Sequence, residues 1–195
     1  PYYHVLSDNK DFTLKPRFYS NEKILIQTEY RQVNKNSNHL LDFSVVNEKN
    51  KSAKSHLFLN TYKKLNFSNF DESELSLKIE QVTNDTYLKT HKLESTIIKN
   101  YDSLKSKVGI EAYRDNLSLN VDFEVYENLG KNKSDRYEYI LPNYTLIRQF
   151  EPEEVLNGNF SLNSSGFIKN YNTNITEKIV INDFIYSSYP EFTKN

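Results

Sequence analysis

Residues 117–126 read Leu-Ser-Leu-Asn-Val-Asp-Phe-Glu-Val-Tyr. Leu117, Leu119, Val121, Phe123 and Val125 take one parity; Ser118, Asn120, Asp122, Glu124 and Tyr126 take the other. Successive side chains of an extended chain point to opposite faces, so period-two alternation predicts a strand with one apolar and one polar face. The same pattern recurs in both directions. In Glu22–Gln32, Ile24, Ile26, Thr28 and Tyr30 oppose Lys23, Leu25, Gln27, Glu29 and Arg31. In His39–Val46, Leu41, Phe43 and Val45 oppose Asp42 and Ser44. In Ser73–Val82, Leu75, Leu77 and Ile79 oppose Glu74, Ser76, Lys78 and Glu80. Towards the end, Ile175, Ile179, Ile181 and Ile185 share a parity, and the other side mixes Lys178 and Asn182 with Val180 and Phe184.

Clusters rich in Asn, Asp, Ser and Lys separate these runs, among them 34–38, 47–52, 66–71, 84–85, 114–116, 128–135 and 170–174. Such residues tolerate turns. The reading is an all-β antiparallel meander of long strands. Thr90–Asp102 can be set at helical spacing, but its β-branched residues and flanking strands predict extended chain. Several runs reach the roughly 9–11 residues that cross a bilayer when tilted, where strands of soluble proteins centre on about 5–6.

Composition narrows the classes. Lys and Arg total 25 against 26 Asp and Glu, a net charge of -1, so the basic stripe that nucleic acid demands is missing. There is no cysteine, hence no disulfide framework or thiolate metal site. Mean hydropathy is -0.74 and no run of about 20 apolar residues exists, which excludes helical membrane spans but not barrel strands, whose faces average out. The 15 Tyr and 12 Phe suit an interfacial aromatic girdle and equally any all-β protein. His4, His39, His56 and His91 show no ligand spacing, and no nucleophile elbow, phosphate loop or dinucleotide fingerprint occurs. The reading is therefore of a non-enzyme without cofactor or metal. The carboxylates Glu151, Glu153 and Glu154 around Pro152 read as a turn, with divalent-cation contact as the alternative. Pattern alone leaves two architectures open: a partial, open transmembrane β-barrel, or a soluble β-sandwich that binds glycans.

The opening block favours the first. Pro1-Tyr2-Tyr3, then Asp11, Thr13, Leu14 and Pro16, then Glu29-Tyr30-Arg31 follow in order. This resembles the start of the membrane barrel in the LptD family of outer-membrane lipopolysaccharide-assembly proteins. Asn84-Asp85 followed by Tyr87-Leu88, then Leu104 and Ser106, Leu141-Pro142 and Asn157-Gly158 echo later landmarks of the family. His4 stands where the family often has Trp, and Asn21-Glu22 where a Gly is common.

The resemblance implies that residues 1–195 are an internal piece of a barrel of about two dozen strands, holding roughly the first ten. The preceding periplasmic jelly roll and the final strands would lie outside it. It implies transport of lipopolysaccharide to the outer leaflet of a Gram-negative outer membrane, a plug lipoprotein like LptE inside the barrel, and periplasmic bridge proteins as partners. Another outer-membrane barrel, a porin or receptor, is separated from this reading by the block 1–31 alone. Proline removes a ladder hydrogen bond, and bilayer hydrocarbon offers the backbone no substitute. Pro1 and Pro16 are accordingly assigned to a lateral gate at the first strands, against the alternative that Pro1 precedes a strand and Pro16 marks a bulge or strand end. Lys23, Gln27, Glu29, Arg31, Asp42, Glu74, Lys78, Glu80, Asn120, Asp122 and Glu124 are assigned to the lumen, facing plug or lipopolysaccharide.

Overall fold

The computed structural model describes residues 1–20, 23–47, 52–131, 135–150, 158–172 and 174–188. These form eleven strands: β1 (Tyr2–Ser7), β2 (Lys10–Phe18), β3 (Ile24–Asn34), β4 (Ser37–Asn47), β5 (Lys54–Leu65), β6 (Glu72–Val82), β7 (Ser103–Arg114), β8 (Leu117–Asn128), β9 (Tyr137–Phe150), β10 (Gly158–Tyr171) and β11 (Ile175–Ser188). Among the described residues a single short helix, α1 (Tyr87–His91), lies between β6 and β7. The strands pair antiparallel in sequence order, β1 through β11, in one sheet that does not close. The expected all-β meander is present, and its strands from β3 onward are 11 to 14 residues long. The count of eleven stands beside the roughly ten expected. The carboxylate turn at Glu151–Glu154 and parts of the 47–52 and 128–135 turns lie outside the described residues.

Register carries the alternation across the sheet. Gln27 faces Ser44 and Ser44 faces His56; Glu29 faces Asp42 and Asp42 faces Phe58; Gly109 faces Asp122. On the opposite face Thr28, Phe43 and Leu57 align, as do Leu77, Val108 and Phe123, then Leu75, Ile110, Val121 and Tyr144. The apolar band thus steps along the strands from one neighbour to the next, as it does when strands tilt against a common axis.

Burial is inverted relative to a water-soluble sheet. Asp122 and Glu124 are 4% and 6% exposed, while Phe123 between them is 46% exposed. Gln27, Asp42 and Ser44 are fully buried, whereas Ile24, Ile26 and Phe43 are open. The polar, inner face is crowded; the apolar, outer face is uncovered among the described residues. β11 departs from the pattern, with Val180, Ile181, Phe184 and Ile185 all at least 46% exposed on its two faces.

Pro142 shows how the sheet accommodates a proline. Between Asn143 and Ile140, β9 carries one residue more than its partners Asp122–Glu124 on one side and Phe167–Lys169 on the other. This bulge relieves the ladder of the missing N–H. Pro16, by contrast, keeps regular register opposite Ile26.

The segment between β6 and β7 departs from the sequence expectation. Thr90–Asp102 is not extended chain: α1 runs to His91, Lys92 caps it in the left-handed region (φ 45°), and the rest crosses as irregular chain. The reason is tertiary. Tyr87, Leu88, Leu93, Ile97 and Ile98 are buried with Leu25, Val46, Phe58 and Val82 of the inner face and with Leu104 and Leu129. Packing of this apolar set outweighs the β propensity of Thr96, Ile97 and Ile98. The core of the molecule therefore lies beneath this strap, on the inner face at the end of the sheet where β1 begins.

Candidate functional site

The inner face divides into three zones. Under the strap, β3, β4 and β5 bring together Gln27, Asp42, Ser44 and His56. The Gln27 amide nitrogen donates to both Asp42 carboxylate oxygens (3.1 and 3.2 Å) and to the Glu94 carbonyl of the strap (2.9 Å). His56 Nε2 lies 3.2 Å from Asp42 Oδ1, and its Nδ1 lies 2.6 Å from Ser44 Oγ. Ser44 Oγ also meets the Tyr87 hydroxyl at 2.8 Å, and Ser95 hydrogen-bonds Asp42. Gln27 Oε1 alone of this group has no hydrogen-bond partner among the described residues.

Sequence reading found no acid, base and nucleophile together; the structure brings Asp42, His56 and Ser44 into that order. Chemistry at Ser44 would require an approach path and donors for an oxyanion. Ser44 and Asp42 are fully buried and His56 is 1% exposed, the Tyr87 hydroxyl occupies the space beside Ser44 Oγ, and β4 is paired on both sides. With the strap seated the group is a closed hydrogen-bond network that clamps Tyr87. Burial pushes the Tyr87 phenol above its ordinary value, partly offset by the hydrogen bond with Ser44. A raised phenol keeps its proton in the folded state, so this contribution is complete below about pH 10 and is lost only as pH rises through the higher folded value.

The second zone, on β6, β7 and β8, is a lattice of ion pairs: Lys78 with Glu80 (2.6 Å), Lys105 with Glu124 (2.7 Å) and Lys107 with Asp122 (2.7 Å). Tyr126 donates to Glu124 (2.9 Å), and the Lys105 amide donates to Glu80 (2.7 Å). Carboxylates this buried require such partners. Gly109 makes the geometry possible: a Cβ there would collide with Asp122 Oδ1 and stand 2.9 Å from Lys107 Cε. Gly109→Ala is expected to displace the Lys107–Asp122 pair and lower stability by about 1–3 kcal/mol, measured by the unfolding midpoint; a change within about 0.5 kcal/mol would contradict the close packing.

The third zone, at the β5–β6 and β7–β8 turns, is an open hollow of about 620 Å³ whose lining includes Lys64, Asp71, Glu74, Glu111, Ser118 and Asn120.

The sequence-assigned residues fall as follows. Gln27, Glu29, Asp42, Glu80, Asp122 and Glu124 are buried on the inner face, with Lys78 beside them. Glu74 and Asn120 line the hollow. Arg31 pairs with Asp11 (2.8 Å) on β2, and Lys23 sits just ahead of β3. Pro1 directly precedes β1. Pro16 lies where β2 has passed the end of β1, whose first pairing is Tyr2 opposite Leu14. The sequence pattern assigns no role to the strap, His56 or Ser44; the one local signal for the strap is Asn84-Asp85 followed by Tyr87-Leu88. No group of three or more His, Asp or Glu poised for a metal occurs among the described residues.

The strap is anchored along its length. Arg136 pairs with Asp85 (2.5 Å) at its start and with Glu127 (2.5 Å) of β8. These two partners raise the Arg136 pKa despite the opposing effect of burial. The Leu129 amide donates to Asp102 O (2.9 Å) at the strap's end, and Lys89 pairs with Asp102 within it. On β2, Arg17 Nη1 donates to the carbonyls of His91 (2.8 Å) and Lys92 (3.3 Å). No protein-family model matches the sequence and no curated protein is significantly similar to it.

Proposed function

We propose that this chain is part of an outer-membrane β-barrel of the LptD type, which inserts lipopolysaccharide into the outer leaflet of a Gram-negative cell. The observation that carries the membrane part is inverted polarity: the charged Asp122 and Glu124 are buried while Phe123 is open. In water, each half-exposed large apolar side chain forgoes roughly 1 kcal/mol of burial, and the outer band of β7, β8 and β11 holds many. In hydrocarbon the same face is at rest, and the paired charges of the inner face line a wet lumen. A soluble glycan-binding sandwich requires a second sheet over the apolar face; the described residues supply one sheet only.

The block Pro1–Arg31 favours lipopolysaccharide export over a porin or receptor. On this reading β1 meets the last strand of the complete barrel at a seam. Pro1 and Pro16 keep that seam short of backbone hydrogen bonds, so an amphiphile leaves sideways. Chain entry from a periplasmic jelly roll places the strap at the periplasmic mouth. The polar inner face, with Lys78, Glu74 and Arg31 among its open members, is offered to an LptE-like plug lipoprotein and to the passing glycolipid.

Partitioning between buffer and detergent micelles or bilayers, followed by circular dichroism, tests the reading on this segment and on the full-length protein. β-structure that forms only with amphiphile supports it. A cooperatively folding monomer in plain buffer sinks it. With the barrel established, a photo-crosslinker at position 16 should capture lipopolysaccharide; capture no better than from position 121, on the outer face of β8 and away from the seam, would reject the gate.

A further inference from the structure

We infer that residues 83–102 are a strap whose seating fixes the free end of β2, with Arg17 as the positioning residue that couples the two. β1 pairs with β2 only from Ser7 opposite Lys10 to Tyr2 opposite Leu14. Among the described residues, 15–18 therefore have β3 as their single neighbour strand. What holds them on the inner side is the strap: the Arg17 guanidinium bonds the last carbonyls of α1, and the Tyr19 hydroxyl meets His91 Nδ1 at 3.4 Å. Charge-assisted bonds of this kind are about twice as strong as neutral ones, and carbonyls at a helix C-terminus are otherwise unsatisfied.

The far side of the strap is held independently of β2, by Tyr87 on Ser44 and by the Glu94 carbonyl on Gln27. The strap is thus a tie between the centre of the inner face and the edge of the sheet. Seated, it draws the end of β2 inward. Released, it frees 15–18, including Pro16, from everything but β3. A bulky ligand seated on the β3–β5 part of the inner face would have to displace the strap, and the edge strand would loosen in the same step. That last consequence, a cargo that opens its own exit, rests on the barrel reading; the tie itself does not.

Amide hydrogen exchange on the full chain, in whichever medium it folds, tests the tie. Arg17→Gln should speed exchange at positions 15 and 17, the hydrogen-bonded positions opposite β3, by about tenfold, the loss of charge-assisted hydrogen bonding, and leave Val121 unchanged. Ser44→Ala, which touches the strap and not β2, should speed exchange at Thr90 and Leu93 and at 15 and 17 together. Both variants must release the amides of 15 and 17. If either leaves those amides at their original rate, β2 is not held through the strap and the inference fails. Should Ser44→Ala raise exchange at Val121 as well, marking general unfolding, Tyr87→Phe takes its place with the same requirement. Partitioning decides the barrel and exchange decides the tie, so the two can fail separately.

Discussion

Asp42→Ala is expected to cost about 2–6 kcal/mol, the sum of about 1–3 kcal/mol for each of the two buried donors that the carboxylate satisfies. The carboxylate is fully buried and receives Gln27 on both oxygens, His56 at 3.2 Å and Ser95. Deleting it strands a buried imidazole and a buried amide, and each unsatisfied group carries its own desolvation penalty of about 1–3 kcal/mol. The loss spreads, since Gln27 also holds the Glu94 carbonyl and His56 orients Ser44 against Tyr87. The strap should loosen with the network. Tyr87→Phe removes one hydroxyl and keeps the ring in the apolar cluster, so it should cost only about 1 kcal/mol. Unfolding midpoints of the two variants, in the medium where the chain folds, decide the matter. An Asp42→Ala cost below 1 kcal/mol, or equal to that of Tyr87→Phe, would mean that the network is ornamental to the fold.

The strand faces were legible because period two is a local property. Asp122 and Glu124 announce a polar face, and Phe123 an apolar one, whatever the strands pair with. Burial inverts what those words usually mean, and nothing within one strand says which face will be crowded; that depends on how the sheet curls. The strap was illegible for a related reason. Ser44 and His56 read as members of a polar face, which they are. Their meeting depends on the register of β4 and β5, and its closure on Tyr87, 43 residues beyond Ser44, returning across them. Tyr87 and Leu88 carry no period of their own, and the β-branched Thr96, Ile97 and Ile98 point locally to extended chain. Only the inner-face cluster of Leu25, Val46 and Phe58 makes the irregular path favourable. Pro16 is intermediate: its position in an early strand could be read directly, while its place beyond the last pairing of β1 could not.

Val108→Arg separates the two solvents that the outer face could meet. Val108 is mid-strand on β7, 40% exposed, aligned with Leu77 on one side and Phe123 on the other. If this band lies in hydrocarbon, arginine near the bilayer midplane costs about 2–4 kcal/mol in the folded barrel. If it faces water, a charge at so exposed a site stays within about 0.5 kcal/mol and improves solubility, since it breaks an apolar patch. The signs of the accompanying effects also differ: poorer assembly in bilayers in the first case, less aggregation in buffer in the second. A matched substitution on the inner face controls for strand position. Asn120→Arg, beside the open hollow near Glu74 and Glu111, adds the same side chain where water and carboxylates can receive it, and should be tolerated on either reading. Refolding of both variants into bilayers, with the unfolding free energy measured against denaturant, gives the comparison. A penalty at 108 of at least 2 kcal/mol over that at 120 places the apolar band in lipid; equal penalties would remove the inverted face as an argument for the membrane.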